Sequence, residues 1–218
     1  MKHYCHAYKS LYASCRKSNS NFLSVISRHI LCRILYNKRL WLHQKAHING
    51  ISNIEAHGNL SVGLDNVGFV YKNDITYLNI QGKLRLNGNC TIGRGCRLDI
   101  GAGAIVTIGK DCYVTANSRF VIMNGLTIGD HCAISWDCQF LDEDFHEITY
   151  PGKKDNEKFI TIGHNVWIGC GVKLYKGTVI PNGCVIASDS VVKGVFIEEN
   201  TLIGGHPARI IRKNILWK

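Results

Sequence analysis

Residues 162–192 read IGHNVWIGCGVKLYKGTVIPNGCVIASDSVV. Ile162, Ile168, Leu174, Ile180, Ile186 and Val192 stand six residues apart. Four residues after each of the first five comes a small or β-branched side chain: Val166, Val172, Thr178, Cys184 and Ser190. A helix repeats its apolar face at about 3.6 residues and a flat strand at about 2, so neither explains a step of six. A short fixed period kept over several turns marks a solenoid. Six suits a triangular coil, in which each side is a short strand and each corner a tight turn. The anchor points inward and the small residue fills the narrowing space beside the corner. Three such steps close a coil of about 18 residues, and coils stack roughly 4.8 Å apart through backbone hydrogen bonds.

The register extends towards the N-terminus. Leu86, Ile92 and Leu98 are six apart, as are Ile108, Val114 and Phe120, then Ile128, Ile134 and Phe140. The steps from Ile100 to Ile108 and from Phe120 to Ile128 are eight, which predicts corners enlarged by two residues. Glycine follows the anchor at Ile92, Ile100, Ile108, Ile128, Ile162 and Ile168, as a tight bend favours. A β-sandwich would vary its spacing and alternate along each strand, and the regular hexads argue against it. With 22 Gly, 3 Pro and no linker-like stretch between residues 60 and 205, the 218-residue chain reads as one elongated, mainly β domain. A solenoid needs capped ends. The expected division is a basic, partly helical N-terminal cap or peripheral segment at 1–55, the β-helix at 56–205, and a short helical cap at 206–218.

Cys90, Cys96, Cys112, Cys132, Cys138 and Cys184 all fall four residues after an anchor, the slot where a free thiol packs as a compact hydrophobe. No CxxC pair is present, so these read as packing residues of a cytoplasmic protein rather than a disulfide framework. Residues 1–54 carry nine Lys or Arg and no Asp or Glu, nearly all of the formal net charge of +10. No continuous apolar region marks a signal peptide. Arg28 and Arg33 interrupt the run from Phe22 to Leu35, which is too short to span a membrane. Phe22, Val25, Ile26, His29, Ile30 and Arg33 fit one helical face. Two readings of residues 1–48 stay open: a helical cap packed on the solenoid, or a basic amphipathic segment in peripheral contact with the anionic inner membrane surface. No recognition motif accompanies the charge, so nucleic acid is not an expected partner.

The repeat breaks once with chemical consequence. After Phe140 the next anchor is due at 146, but the register returns only at Ile162. The intervening LDEDFHEITYPGKKDNEKF (141–159) is polar and contains Pro151-Gly152, so it predicts a loop thrown out from the coil. Loops on rigid scaffolds are favoured sites of function. His146 lies there among Asp142, Glu143, Asp144 and Glu147, and an imidazole beside carboxylates suits a general base. Trp167 occupies an outward hexad position just after the loop and needs a ligand or a neighbour to cover it. His146 and Trp167 are expected to line one cleft, Trp167 to lie in a subunit interface, or both together.

These residues complete a resemblance. The segment from about 84 to 213 resembles the hexapeptide-repeat acyltransferases, through DFHEI (144–148), ITIGHNVWIG (160–169) and GGHPARIIRK (204–213). Within them it is similar to the galactoside and maltose O-acetyltransferases and to bacterial polysaccharide and sialic-acid O-acetyltransferases. The resemblance implies a left-handed parallel β-helix, although the general crossover rule favours the right hand. It implies a homotrimer, with acetyl-CoA as co-substrate between adjacent subunits, a glycan or glycan precursor as acceptor, and no metal. His146 would be the catalytic base, Asp144 or Asp142 its orienting carboxylate, and Trp167 would pack against the acetyl group or acceptor. For acetyl-CoA it implies Trp167, Gly169, Cys170, Ser188, Lys193, Arg209 and Arg212. Cys170 and Ser188 are one coil of 18 apart, and their small side chains would let a pantetheine arm lie along the coils. Asn117, Asn124 and Asp142 are the candidate acceptor contacts. Two positions depart from the family pattern: His206 stands where Asn commonly precedes Pro207, and Asp189 where Gly is favoured.

Other functions compete. A carbonic anhydrase-type hydratase on the same scaffold needs three His ligands including a close pair, whereas His131, His146 and His164 are 15 and 18 apart. Serine acetyltransferases carry a large helical N-terminal domain, and nucleotide-sugar N-acetyltransferases often an α/β one. Residues 1–80 hold neither pattern. Antibiotic O-acetylation, amino-sugar N-acetylation and a non-catalytic assembly module remain as alternatives to an acetyl-CoA-dependent O-acetyltransferase acting on a surface polysaccharide or its precursor.

Overall fold

In the computed structural model, which describes residues 2–64, 67–153 and 157–218, the hexad anchors build three sheets wound into one triangular prism. Leu40–Leu42, Ala46–Asn49 and Ile54–Ala56 open faces I, II and III, and Leu60–Val62 returns to face I one coil further on. Among the described residues face I has nine strands, face II seven and face III six. Pairing is parallel throughout except for the last pair on face I. One inward column on face II runs Leu78, Leu98, Phe120, Phe140, Leu174 and Val192, all buried. Within it the rings of Phe120 and Phe140 stack at 4.3 Å. Each such burial contributes about 1.5–3 kcal/mol relative to exposure. The six cysteines in the small hexad slot are all buried.

The steps of eight do not swell the corners. Ile105–Ile108 and Gly125–Ile128 are four-residue strands, each burying two alternate side chains, Val106 with Ile108 and Leu126 with Ile128. Two extra residues are one full strand period, so they lengthen a side of the triangle without turning its face. The coil also starts earlier than the boundary at 55/56. Leu40, Ala46, Ile54 and Leu60 are buried at spacings of six, eight and six, so the first coil lies inside the segment read as a cap.

Two helices, α1 (Lys2–Lys17) and α2 (Phe22–Tyr36), precede that coil. The Asn21 side chain accepts from Ser24 N at 3.0 Å and starts α2, and Asn37 in a left-handed conformation ends it. α2 lies across the open end of the prism with Val25 and Cys32 buried. The Arg28 guanidinium donates to the His43 carbonyl and, at 2.6 Å, to that of Ala46, while the His29 ring stacks on Trp41 at 3.6 Å. Buried Arg94 donates to the Ser18 and Gly63 carbonyls, tying the end of α1 to the coil. Burial, then Arg94 with other nearby cations, pushes the pKa of His43 down to about 4. Among the described residues no helix is long and apolar enough to cross a membrane.

The C-terminal segment is not helical. Ala208–Arg212 pairs antiparallel with Leu202–Gly205, and Trp217 Nε1 reaches the Asn165 carbonyl at 2.8 Å. A helix would have left the last strand of face I with an unpaired edge, and the hairpin covers it.

Candidate active site

The excursion between Gln139–Leu141 on face II and Ile160–Ile162 on face III stands at corner II/III; its residues 154–156 lie outside those described. Its base is built from carboxylates. Asp142 is fully buried and accepts three backbone N–H groups of the coil below, from Met123 at 2.7 Å, Asn124 at 2.8 Å and Gly125 at 2.7 Å. Glu143 receives Lys158 Nζ at 2.6 Å and the Asn124 amide at 3.4 Å, and the Lys158 bond above all draws its pKa down to about 2. Lys176 Nζ meets Asp144 at 2.6 Å. Phe159 folds its ring over Gly125, where any added Cβ would come within 2.3 Å of it.

This frame borders an open cleft of about 1020 Å³ that contains His146, Asp144, Asn124 and Lys193, together with Lys158, Lys176 and Phe159. His146 is exposed and has no hydrogen-bond partner among the described residues. Neither expected orienting carboxylate serves it within the chain: Asp144 pairs with Lys176, and Asp142 is spent on backbone donors. Asp142 is therefore a structural anchor rather than an acceptor contact.

The other expected residues lie elsewhere on the prism. Trp167 projects from face I, 42% exposed, with Nε1 donating to Ser135 Oγ at 3.1 Å and Trp217 beside it at 6.1 Å between ring centroids. Face I lies opposite corner II/III in a triangle, so one chain does not bring Trp167 and His146 into one cleft. Cys170 and Ser188 stack at corner I/II, with Sγ and Oγ 3.2 Å apart. Gly169 belongs to the same column, where a Cβ would meet Ser188 N at 2.7 Å. Asn117 stands two coils earlier in left-handed geometry with its side chain folded against Gly95. Asp189 adopts the same geometry over Gly171 (φ +57°), which explains why glycine suits its position. Arg209 pairs with Gly204, near Ala187 and this corner, while Arg212 pairs with Leu202 on face I. Lys193 is thus separated from both arginines and belongs to the His146 cleft.

Reading by hexads missed Lys158, Lys176 and Phe159, which brace the loop. It also missed Trp136, which shares the hexad slot of Cys170 and Ser188 (two after the anchor) and meets Phe69 edge-on at 5.7 Å. That shared slot was the available signal. Among the described residues no three His, Cys, Asp or Glu side chains cluster as a metal site would require.

A family model described as "Bacterial transferase hexapeptide (six repeats)" matches residues 159–194. Over 206 residues the chain is 41% identical to "Uncharacterized 24.8 kDa protein in cps region" of Klebsiella pneumoniae, covering 94% of this chain and 92% of that one. The chain belongs to the hexapeptide-repeat acyltransferases. The chain is also similar to WbbJ of Escherichia coli (strain K12), whose name assigns it provisionally to lipopolysaccharide biosynthesis as an O-acetyl transferase. The two are 28% identical over 148 residues, 63% of this chain and 75% of that one. The crystal structure of the polySia specific acetyltransferase NeuO shares the fold, with a TM-score of 0.50 at 23% identity over 83% of this chain and 79% of that chain. The prism of this hexapeptide-repeat acyltransferase is the left-handed parallel β-helix of its family.

Proposed function

We propose that this acyltransferase moves an acetyl group from acetyl-CoA to a hydroxyl of a bacterial surface polysaccharide or its precursor, working as a cytoplasmic homotrimer. The observation that carries the reading is His146: an exposed imidazole, without a hydrogen-bond partner among the described residues, that lines an open cleft on a loop braced through Asp142, Glu143–Lys158 and Asp144–Lys176. His146 takes the proton of the acceptor hydroxyl as that oxygen attacks the thioester carbonyl. The oxyanion is met by backbone N–H donors, and the proton passes to the departing thiolate. Acid–base help of this kind is worth about 10²–10⁴-fold.

The column of small residues at corner I/II (Gly169, Cys170, Ser188), with Trp136 in the same slot and Arg209 near its end, suits an extended thioester arm and its phosphates. Lys193 stays with the acceptor cleft. Since His146 and Trp167 sit on opposite sides of one prism, they share a site only if one copy's corner II/III meets a neighbour's face I, and this supports the trimer. The polysaccharide acceptor is supported by relatives named for a cps region and for lipopolysaccharide biosynthesis.

The test incubates the protein with acetyl-CoA and a panel of capsule and O-antigen fragments. An alkali-labile acetylated product is expected, and it should be absent with His146→Ala protein of unchanged melting temperature. An alkali-resistant product would mean amide formation, and full turnover by His146→Ala would remove the imidazole from the mechanism.

A further inference from the structure

α2 is apolar on both sides. Its inward side, through Val25, Arg28, His29 and Cys32, is consumed by the first coil. Its outward side carries Leu23 at 75%, Ile30 at 52%, Leu31 at 54%, Ile34 at 74% and Leu35 at 60% exposure. These five positions fall on one arc of the helix, opposite the buried one. A stripe of this kind on a terminal helix lacks the polar face a solvated cap would show. Around it the charge has one sign. Arg16 and Lys17 end α1, Arg33 lies on α2 and Arg39 follows it. All four are exposed, and none pairs with a carboxylate among the described residues.

We propose that this end of the protein docks on an anionic phospholipid bilayer, with α2 lying in the interface. Its outward leucines and isoleucines would enter the headgroup–acyl boundary, and Arg16, Lys17, Arg33 and Arg39 would meet lipid phosphates. The charge decides between occupants. A second copy seated on this stripe would bring two sets of cations together with no acidic residue from 1–54 to offset them, whereas an anionic membrane supplies both the apolar layer and the counter-charge. The contacts of Arg28 and His29 also fix how the helix is rolled, so the stripe faces away from the coil before any lipid is met. This inference does not depend on the acyl-transfer chemistry.

The test is sedimentation of the full-length protein with vesicles of phosphatidylcholine alone and of phosphatidylcholine mixed with phosphatidylglycerol. Binding is expected only to the mixed vesicles, falling as salt screens the cations. The Leu31→Glu/Ile34→Glu variant, altered only at exposed positions, should bind about tenfold or more weakly with an unchanged melting curve. The Arg16→Gln/Lys17→Gln variant should weaken binding without touching the apolar stripe, which keeps the test valid if the first variant folds poorly. Equal recovery of wild-type protein from both vesicle types would overturn the proposal. So would a smaller assembly for Leu31→Glu/Ile34→Glu in gel filtration, because that would make the stripe a contact between copies.

Discussion

Asp142→Asn tests whether the His146 loop is held from below. In the native chain Oδ1 accepts from Met123 N, and Oδ2 accepts from Asn124 N and Gly125 N, all within 2.8 Å. An amide keeps only one acceptor oxygen. In its better orientation that oxygen retains the two donors of Oδ2, and the new NH₂ group faces Met123 N. One charge-assisted bond is lost, two N–H groups oppose each other, and the retained pair weakens because the acceptor is now neutral. Together these cost about 2–4 kcal/mol. Asp142→Ala orphans all three donors and should cost about 3–5 kcal/mol. Asp144→Asn is the matched control, since its exposed ion pair with Lys176 should be worth less than about 1 kcal/mol. The assay is urea unfolding followed by circular dichroism at one fixed protein concentration, because assembly adds to stability. Turnover of Asp142→Asn should drop as well, since His146 is only four residues along. A stability change under about 0.5 kcal/mol would refute the reasoning by showing that the three N–H groups find other partners.

Three further outcomes follow from the same geometry. His43 is buried among cations with its pKa lowered to about 4, so the unfolded chain binds the extra proton. Its stabilising contribution is therefore full above about pH 6.5 and is lost as pH falls towards 4, up to about 3 kcal/mol. Urea midpoints measured across that window should show the loss, and His43→Gln should flatten it. Gly125→Ala should displace the Phe159 ring and lower turnover while costing about 1 kcal/mol or less in stability, because the ring is half-exposed and can move. An unchanged rate would show that the Phe159 position is immaterial. Lys158→Met removes the main cause of the low Glu143 pKa. The stabilisation that the bond provides, present above about pH 4.5 and lost towards pH 2, should be missing from the variant's acid unfolding curve.

The coil was legible because its signal is a period carried by buried side chains that tolerate no slip. The anchors from Leu86 to Val192 all point inward. The first coil escaped notice because Ala56 fills the anchor position in register with Leu86 and residues 1–54 carry nine cations, although the spacing of Leu42, Ile48, Ala56 and Val62 obeys the rule. The terminal ARIIR segment reads equally as a short helix or a strand, and only the open edge of face I decides between them. Within the site, His146 was visible as a histidine in the loop that broke the period. Its supports were not, since Lys158 and Lys176 act through salt bridges that no local spacing announces. The role of Asp142 was misread for the same reason: a carboxylate in an acidic loop looks solvated until the three backbone donors beneath it are seen.

The hexad count itself holds the strongest test of the proposed assembly. Phe140 anchors face II and Ile162 face III, so the loop between them must leave at corner II/III, while Trp167, one residue before a face I anchor, must point the other way. No rotation of side chains closes that distance within a prism, so a site using both residues draws them from two chains. Mixing His146→Ala and Trp167→Ala subunits, each weakly active alone, then has a defined consequence. In a cyclic trimer assembled at random from equal amounts, a site is intact when the loop donor carries the native histidine and its neighbour the native tryptophan. This occurs at about one quarter of sites. Activity recovered on co-refolding should approach about a quarter of wild type, above the average of the parents. If both residues served one chain's own site, each subunit would carry one defect and mixing would recover nothing. An additive result would therefore refute a site shared between two chains.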